Sequence, residues 1–338
     1  MKFKLLRKIL NFRESGIITA LTVLVGVTAA FNTRFLSIYN LQVLTRQIAI
    51  FGLIAIGETF VIITAGIDLS PGSMVVLTSV LVAWFMAHDF GLFGAILVTL
   101  IASAGIGVWH GVFVSKLKVP PFIITLGTFA IARGLAAVIT KGPPIPVPDN
   151  LSNSFSYLWD GIILKILPLP VLVLIIASGV AIFILHFTVL GRYIYAVGGN
   201  IEAARLSGIN VDKVRIFVYA VSALLSAVVG MLIAARLKQG NPNVGQIYEL
   251  YAIAASVIGG TSLFGGVGTI LGAVIGACIL STLWNSLVLL KVSAYWHNVA
   301  LGLVIVVAVT VDILRKNRLP KSLRLRKSKV NEGGKNEK

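Results

Sequence analysis

Apolar runs about as long as a bilayer is thick follow one another along nearly the whole chain, and each of them has one stable home. A helix needs about 20 largely apolar residues to cross hydrocarbon, where its backbone must satisfy its own polar groups. Ten such runs can be read, at roughly 16–31, 47–66, 72–88, 91–114, 121–140, 168–189, 214–235, 248–264, 267–290 and 295–314. Composition agrees. Of the 338 residues 57% are hydrophobic and 12% charged, too little polar surface to cover a water-soluble domain. The expected fold class is an all-α membrane protein, a polytopic bundle of about ten transmembrane helices with one short helix outside it. The first run follows MKFKLLRK and has small residues near its end, as a secretory leader does. The runs behind it favour an uncleaved first span.

An even number of spans puts both ends on one side, and the basic residues choose that side. With both termini in the cytoplasm, the inner segments hold 21 of the 29 Lys and Arg, the arrangement that the positive-inside rule expects. The formal charge of +17 sits chiefly at the two ends, so it points to anionic membrane lipid and not to nucleic acid. The expected organisation is a basic cytoplasmic N-terminus over 1–15, a membrane domain over 16–314 and a basic, solvated tail over 315–338. Cys278 is the one cysteine and lies in an apolar run, so there is neither a disulfide framework nor a thiolate metal site. A faint internal echo links GVWHGVFVSKLKVPPF to TLWNSLVLLKVSAYWHN, five spans apart, which would make the two inverted copies.

Polar residues interrupt the spans in few places. In ITAGIDLSPGSMVV, Gly66, Pro71 and Gly72 break the helix while Asp68, Ser70 and Ser73 bring polar groups to the break. It reads either as a tight hairpin with a solvated Asp68 or as a broken helix lining a pathway; Ser70 followed by Pro71 fits a capped helix start. Glu58 and Arg133 fall in the middle of their spans. At the bilayer centre each would cost about 2.5 to 3.5 kcal/mol, so both are expected to face the bundle interior, either paired or bonded separately to backbone or water. Trp109, His110, Trp284 and Asn285 are candidates for lining a polar path, or for gluing helices together. Glu249 opens a span from the outside, as an anchor or a gate residue.

One polar segment stands out, YAVGGNIEAARLSGINVDKVR, from Tyr195 to Arg215. Asn200 is a good N-cap, Glu202 favours the first turn, and Gly208 supplies a stop, so Ile201 to Ser207 reads as two turns of helix. A helix that short is not stable alone in water, and its small residues suit it to a partner's groove.

With this segment, YELYAIAASVIGGTSLFGGVGT, GIDLSPGS and KVPPFIITLGTFAIARGLA, the chain resembles the bacterial monosaccharide ABC-importer permeases of the ribose, xylose and arabinose branch. The resemblance runs from about Ile48 to Asp312. It implies a permease of the inner membrane that acts as a dimer with a second copy of itself and translocates a sugar such as ribose. A cytoplasmic ABC ATPase, which holds the ATP and Mg, and an extracytoplasmic sugar-binding protein would serve it. No cofactor and no catalysis are expected in this chain. The resemblance also implies that Asn200, Glu202, Ala203, Ala204, Arg205 and Gly208, within a loop over 191–213, couple the permease to the ATPase. Family relatives carry autoinducer-2, nucleosides or branched-chain amino acids, and Pro71, Tyr251 and Val267 depart from the residues usual in the family.

The absences fit. There is no Walker A pattern, no His-Glu-x-x-His spacing and no serine with a matching His and acid, so the chain is not expected to be an ATPase, a zinc enzyme or a hydrolase. An ion-coupled secondary transporter, with Glu58 and Asp68 as coupling residues, is the rival from a different class. It would work without the capped helix.

Overall fold

Helices account for most of the described backbone, and burial sorts them into an inner and an outer ring. The computed structural model describes residues 15–317 apart from Lys165. The N-terminal stretch before Ser15 and the tail from residue 318, for which basic cytoplasmic ends were expected, lie outside the described residues. The helices are α1 (Ser15–Phe31), α2 (Ile38–Ile63), α3 (Pro71–Ala87), α4 (Gly91–Ser115), α5 (Pro121–Thr140), α6 (Asp149–Asp160), α7 (Leu169–Phe187), α8 (Val189–Gly199), α9 (Ile201–Leu206), α10 (Val211–Leu237), α11 (Tyr248–Ile258), α12 (Ile270–Leu289) and α13 (Ala294–Asn317). By length and composition α2, α4, α5, α7, α10, α12 and α13 can cross a membrane, and the shorter apolar helices α1, α3 and α11 complete ten.

The inner ring is α2, α3, α10, α11 and α12. Polar and ionisable residues in a span belong inside the bundle: the apolar window of α2, the helix that carries Glu58 and Thr59, is 83% buried, against 22% for the more apolar α7 and 11% for α13. Outer helices turn Ile101, Phe183 and Val306 outward, side chains that suit hydrocarbon. Between apolar helices in lipid the attraction comes from close packing, and glycine allows the backbones to approach. Gly107 and Gly111 of α4 lie against the backbone of α10 at Tyr219, Ala220 and Ile216, where any Cβ would collide.

Two boundaries differ from those expected. Helix α2 starts at Ile38, not near residue 47, because Ser37 caps it by accepting from the Asn40 amide at 3.3 Å. Its polar turn is then used, with Arg46 Nε donating to the Trp159 carbonyl at 3.2 Å. Helix α11 stops at Ile258 instead of reaching 264, since the following GGTSLFGGVG turns back through Gly260, Gly265 and Gly266, all at positive φ. At the other end of the bundle, the proline-rich loop forms α6 and a short β1 strand (Ile145–Pro146). This strand pairs antiparallel with Gln239–Gly240, which follows α10.

Candidate functional site

Two helices of the inner ring start in the interior of the bundle, and the breaks ahead of them carry most of its buried charge. Helix α10 is 27 residues long, about 40 Å, and Ser222 lies about 16 Å along it from Val211. Ser222 Oγ donates to Asp68 Oδ2 at 2.8 Å, which puts Asp68 and the start of α3 near half depth. Asp68 is fully buried, so the solvated-hairpin reading fails and the broken-helix geometry holds. Its Oδ1 accepts both from the Ser70 amide at 2.8 Å and from Ser70 Oγ at 2.6 Å. Ser70 therefore does not cap α3 with its side chain as expected; Asp68 takes that hydroxyl. The Asp68 amide in turn donates to Glu58 Oε1 at 3.2 Å.

Around this joint the Tyr219 ring meets the His110 ring edge to face at 6.1 Å, and His110 Nε2 bonds Thr128 Oγ1 at 2.7 Å. Glu58 Oε2, His110 Nδ1 and the Tyr219 hydroxyl are buried with no hydrogen-bond partner among the described residues. The pairing of Glu58 with Arg133 is not formed. Arg133 Nη2 donates to the Gly245 carbonyl at 3.0 Å and its guanidinium sits 4.8 Å from the Phe129 ring centre, so each charge is met separately, as the alternative reading had it.

The second break precedes α11. From Gln239 the chain does not loop over the surface but descends along α3. Gly240 packs against Ser79, Val80 and Ala83, the Asn241 amide donates to Ser79 Oγ at 3.2 Å, and Gly245 reaches Gly72 and Val75. The chain thus comes down almost the full length of α3 before α11 begins. Glu249, in the first turn of α11, brings its carboxylate beside Gly72 at the start of α3, so both helix N-termini face one buried carboxylate. The spans expected at 214–235 and 248–264 leave QGNPNVGQ between them outside the membrane; the structure carries it inward along α3 instead.

Not all candidates share this region. Asn285 and Asn40 exchange amide hydrogen bonds at 3.0 and 2.9 Å, which uses Asn285 as an interhelical clamp. Trp284 belongs to an aromatic cluster with Tyr251 at 5.5 Å and His297 at 5.3 Å. Tyr251 itself stacks on Phe51 at 4.3 Å. Trp109 faces outward beside Phe113.

The short polar helix is present as α9. Asn200 Oδ1 accepts from the Ala203 amide at 3.0 Å, and Gly208 ends the segment at φ 79°. Glu202, Ala203, Arg205 and Ser207 are exposed; Ala204 is buried and turns inward, so the small-residue face is split. Leu206, which the sequence reading passed over, is 89% exposed at the tip. A cleft of about 270 Å³ separates α9 from the end of α4 and is lined by Lys118, Pro121, Glu202, Arg205 and Arg215. Behind α9, α8 is fastened to the bundle. Gly198 lies on the Ile63 carbonyl so closely that no Cβ fits, Gly266 N donates to that same carbonyl at 2.8 Å, and Tyr195 Oη donates to Gly268 O at 2.8 Å.

A ten-helix bundle with two helices that begin at mid-depth around buried carboxylates, and with one capped surface helix fastened to it, defines a polytopic membrane permease. Residues 40–309 match the family described as branched-chain amino acid transport system / permease component, and the chain belongs to that family. It is similar to the ribose import permease protein RbsC of Haemophilus influenzae, 44% identical over 295 residues that cover 87% of this chain and 91% of the relative. RbsC of Escherichia coli strain K12 is 42% identical over 300 residues, covering 88% and 93%. The xylose transport system permease protein XylH of Haemophilus influenzae is 34% identical over 379 residues, covering 94% and 100%. No solved structure matches the chain.

Proposed function

We propose that this chain is the membrane-spanning subunit of an ATP-binding-cassette importer that carries ribose across the cytoplasmic membrane. It works as a pair with a second copy. A cytoplasmic ATPase docks on α9, and a sugar-binding protein delivers ribose at the opposite end of the bundle. Both termini and α9 lie in the cytoplasm, where the basic segments favour anionic lipid. ATP, Mg and hydrolysis belong to the ATPase; this chain supplies the path and the moving parts.

The observation that carries the reading is the attachment of α9. A six-residue helix with an exposed leucine at its tip cannot stand alone, yet it joins α8, whose Gly198 and Tyr195 hold the end of α2 and the glycine loop after α11. A push on α9 thereby reaches Ile63, and through residues 64–70 it reaches Asp68 and the start of α3. The ATPase need only bind one arrangement of this linkage better than another to bias the path. An ion-driven carrier has no use for such an exposed, capped handle.

The test is ribose uptake into proteoliposomes that contain the permease, its ATPase and its binding protein. ATP is expected to drive uptake, and Glu202→Lys and Leu206→Glu are expected to lower it about tenfold or more while the permease keeps its thermal stability, since both residues are exposed on the docking helix. Uptake that follows an ion gradient without ATPase overturns the proposal.

A further inference from the structure

The segment between β-paired Gly240 and Tyr248 is a non-helical stretch that reaches half depth, and two of its side chains, Asn243 and Gln246, are exposed there or on the way down. Within a membrane, irregular backbone is tolerated where protein buries it or where it borders water. Gly240 and Gly245 bury one edge of this segment against α3. The other edge carries the amides. An amide facing hydrocarbon has nothing to bond to and pays its full desolvation, and the lipid-facing positions on α4, α7 and α13 are apolar at Ile101, Phe183 and Val306. Uncharged amides concentrated on one inner ribbon therefore belong against water.

We propose that residues 241–247 form the lining of the water-filled path and that Asn243 and Gln246 recognise the hydroxyl groups of a neutral polyol in transit. The inference rests on the importer reading for the direction of travel and deepens it by naming contacting residues. A side-chain amide offers one acceptor and two donors, which matches hydroxyls that both give and take hydrogen bonds and does not select an ion. Two neighbouring groups add to this chemistry. Glu249 Oε2 is buried without a partner beside Gly72, at the positive ends of α3 and α11, and supplies an acceptor for a hydroxyl proton. Arg133 is already committed to the Gly245 carbonyl and fixes the ribbon from the α5 side. The ribbon thus has a rigid back and a polar front, which is how a loose and multi-step path for a polyol is made.

The experiment uses the complete transporter in proteoliposomes, with Cys278→Ser as the background. Asn243→Cys, Gln246→Cys and the lipid-facing control Ile101→Cys are treated with a charged, membrane-impermeant methanethiosulfonate reagent. Asn243→Cys and Gln246→Cys are expected to react at least about tenfold faster than the control, because reaction needs a hydrated thiolate. In parallel, Gln246→Leu is expected to lower ribose uptake about tenfold, the value of one good hydrogen bond at the barrier, while the binding protein still stimulates ATP hydrolysis within about twofold of wild type. Reaction no faster than at residue 101 overturns the lining; rapid reaction combined with unchanged uptake by Gln246→Leu overturns the recognition. Wild-type vesicles that take up no ribose with ATP count against the importer reading alone, because the labelling contrast reads the lining independently.

Discussion

The two mid-depth breaks solve one backbone problem in opposite ways. Ahead of α3 the chain turns inside the protein around one fully bonded carboxylate: Asp68 takes three hydrogen bonds from Ser70 and Ser222 and its own amide is held by Glu58, while Glu58 Oε2, His110 Nδ1 and the Tyr219 hydroxyl stay buried beside it without a partner among the described residues. Ahead of α11 the turn is held only from behind, by Gly240, Gly245 and Arg133, and its front remains polar and open. The contrast separates a joint from a lining. The turn of a joint must be bonded, because in a low-dielectric interior each stranded donor costs its whole desolvation; a lining must keep hydrogen-bonding capacity free for what passes along it.

If that contrast is right, the largest loss of stability comes from the joint. Asp68→Ala strands the Ser70 amide, the Ser70 hydroxyl and the Ser222 hydroxyl together, at about 1 to 3 kcal/mol each. The expected result is a loss of at least about 3 kcal/mol, seen as a marked fall in the midpoint of thermal unfolding in detergent followed by size-exclusion chromatography. Asp68→Asn keeps an acceptor and is expected to recover part of it. Equal melting of wild type and Asp68→Ala would show that the joint is not a joint.

Much of this architecture is legible in the sequence, and the part that is not has a common cause. Apolar length reports that a segment crosses or fills the membrane, so all ten spans were visible, α3 and α11 included. The cap of α9 was visible because it is local: Asn200, Glu202 and Gly208 act within about two turns of chain. Depth is not local. Nothing within QGNPNVGQ says whether it runs over a surface or down the flank of α3, since that is decided by Gly72 and Val75, far away in sequence. Charge pairing fails to read for the same reason. Glu58 and Arg133 share a mid-span position by count, yet their partners, Asp68 and Gly245, lie in the two breaks that the count does not place. The exposure of Leu206 is not legible for the same reason, since only the docking of α9 decides which of its faces turns outward.

The joint and the ribbon are linked through the start of α3, and the next smaller effect probes what holds the ribbon in place. Arg133→Leu removes the side-chain bond to Gly245 from α5 and leaves the carbonyl with the longer bond from the Tyr248 amide. About 1 to 2 kcal/mol of stability is expected to be lost in the same melting assay, less than at Asp68, where three donors are stranded, because the Gly245 carbonyl keeps the Tyr248 amide at 3.5 Å. A loss as large as that of Asp68→Ala would mean that the ribbon is as tightly closed as the joint.

The smallest effect lies on the open front and cuts most sharply between the two designs. Asn243 is exposed, and it is its backbone amide, not its side chain, that bonds Asn241 Oδ1 at 2.9 Å. Asn243→Ala therefore removes no bond from the turn, and its cost in stability is expected to stay within about 0.5 kcal/mol, the range of surface substitutions. Asn241→Ala, by contrast, deletes the acceptor of that bond and is expected to lose about 1 kcal/mol. The order Asp68, Arg133, Asn241, Asn243 in descending cost is the signature of a joint bonded through Asp68 that supports an open ribbon. An Asn243→Ala variant as unstable as Arg133→Leu would show that the front is packed against something and that the two breaks differ in depth alone.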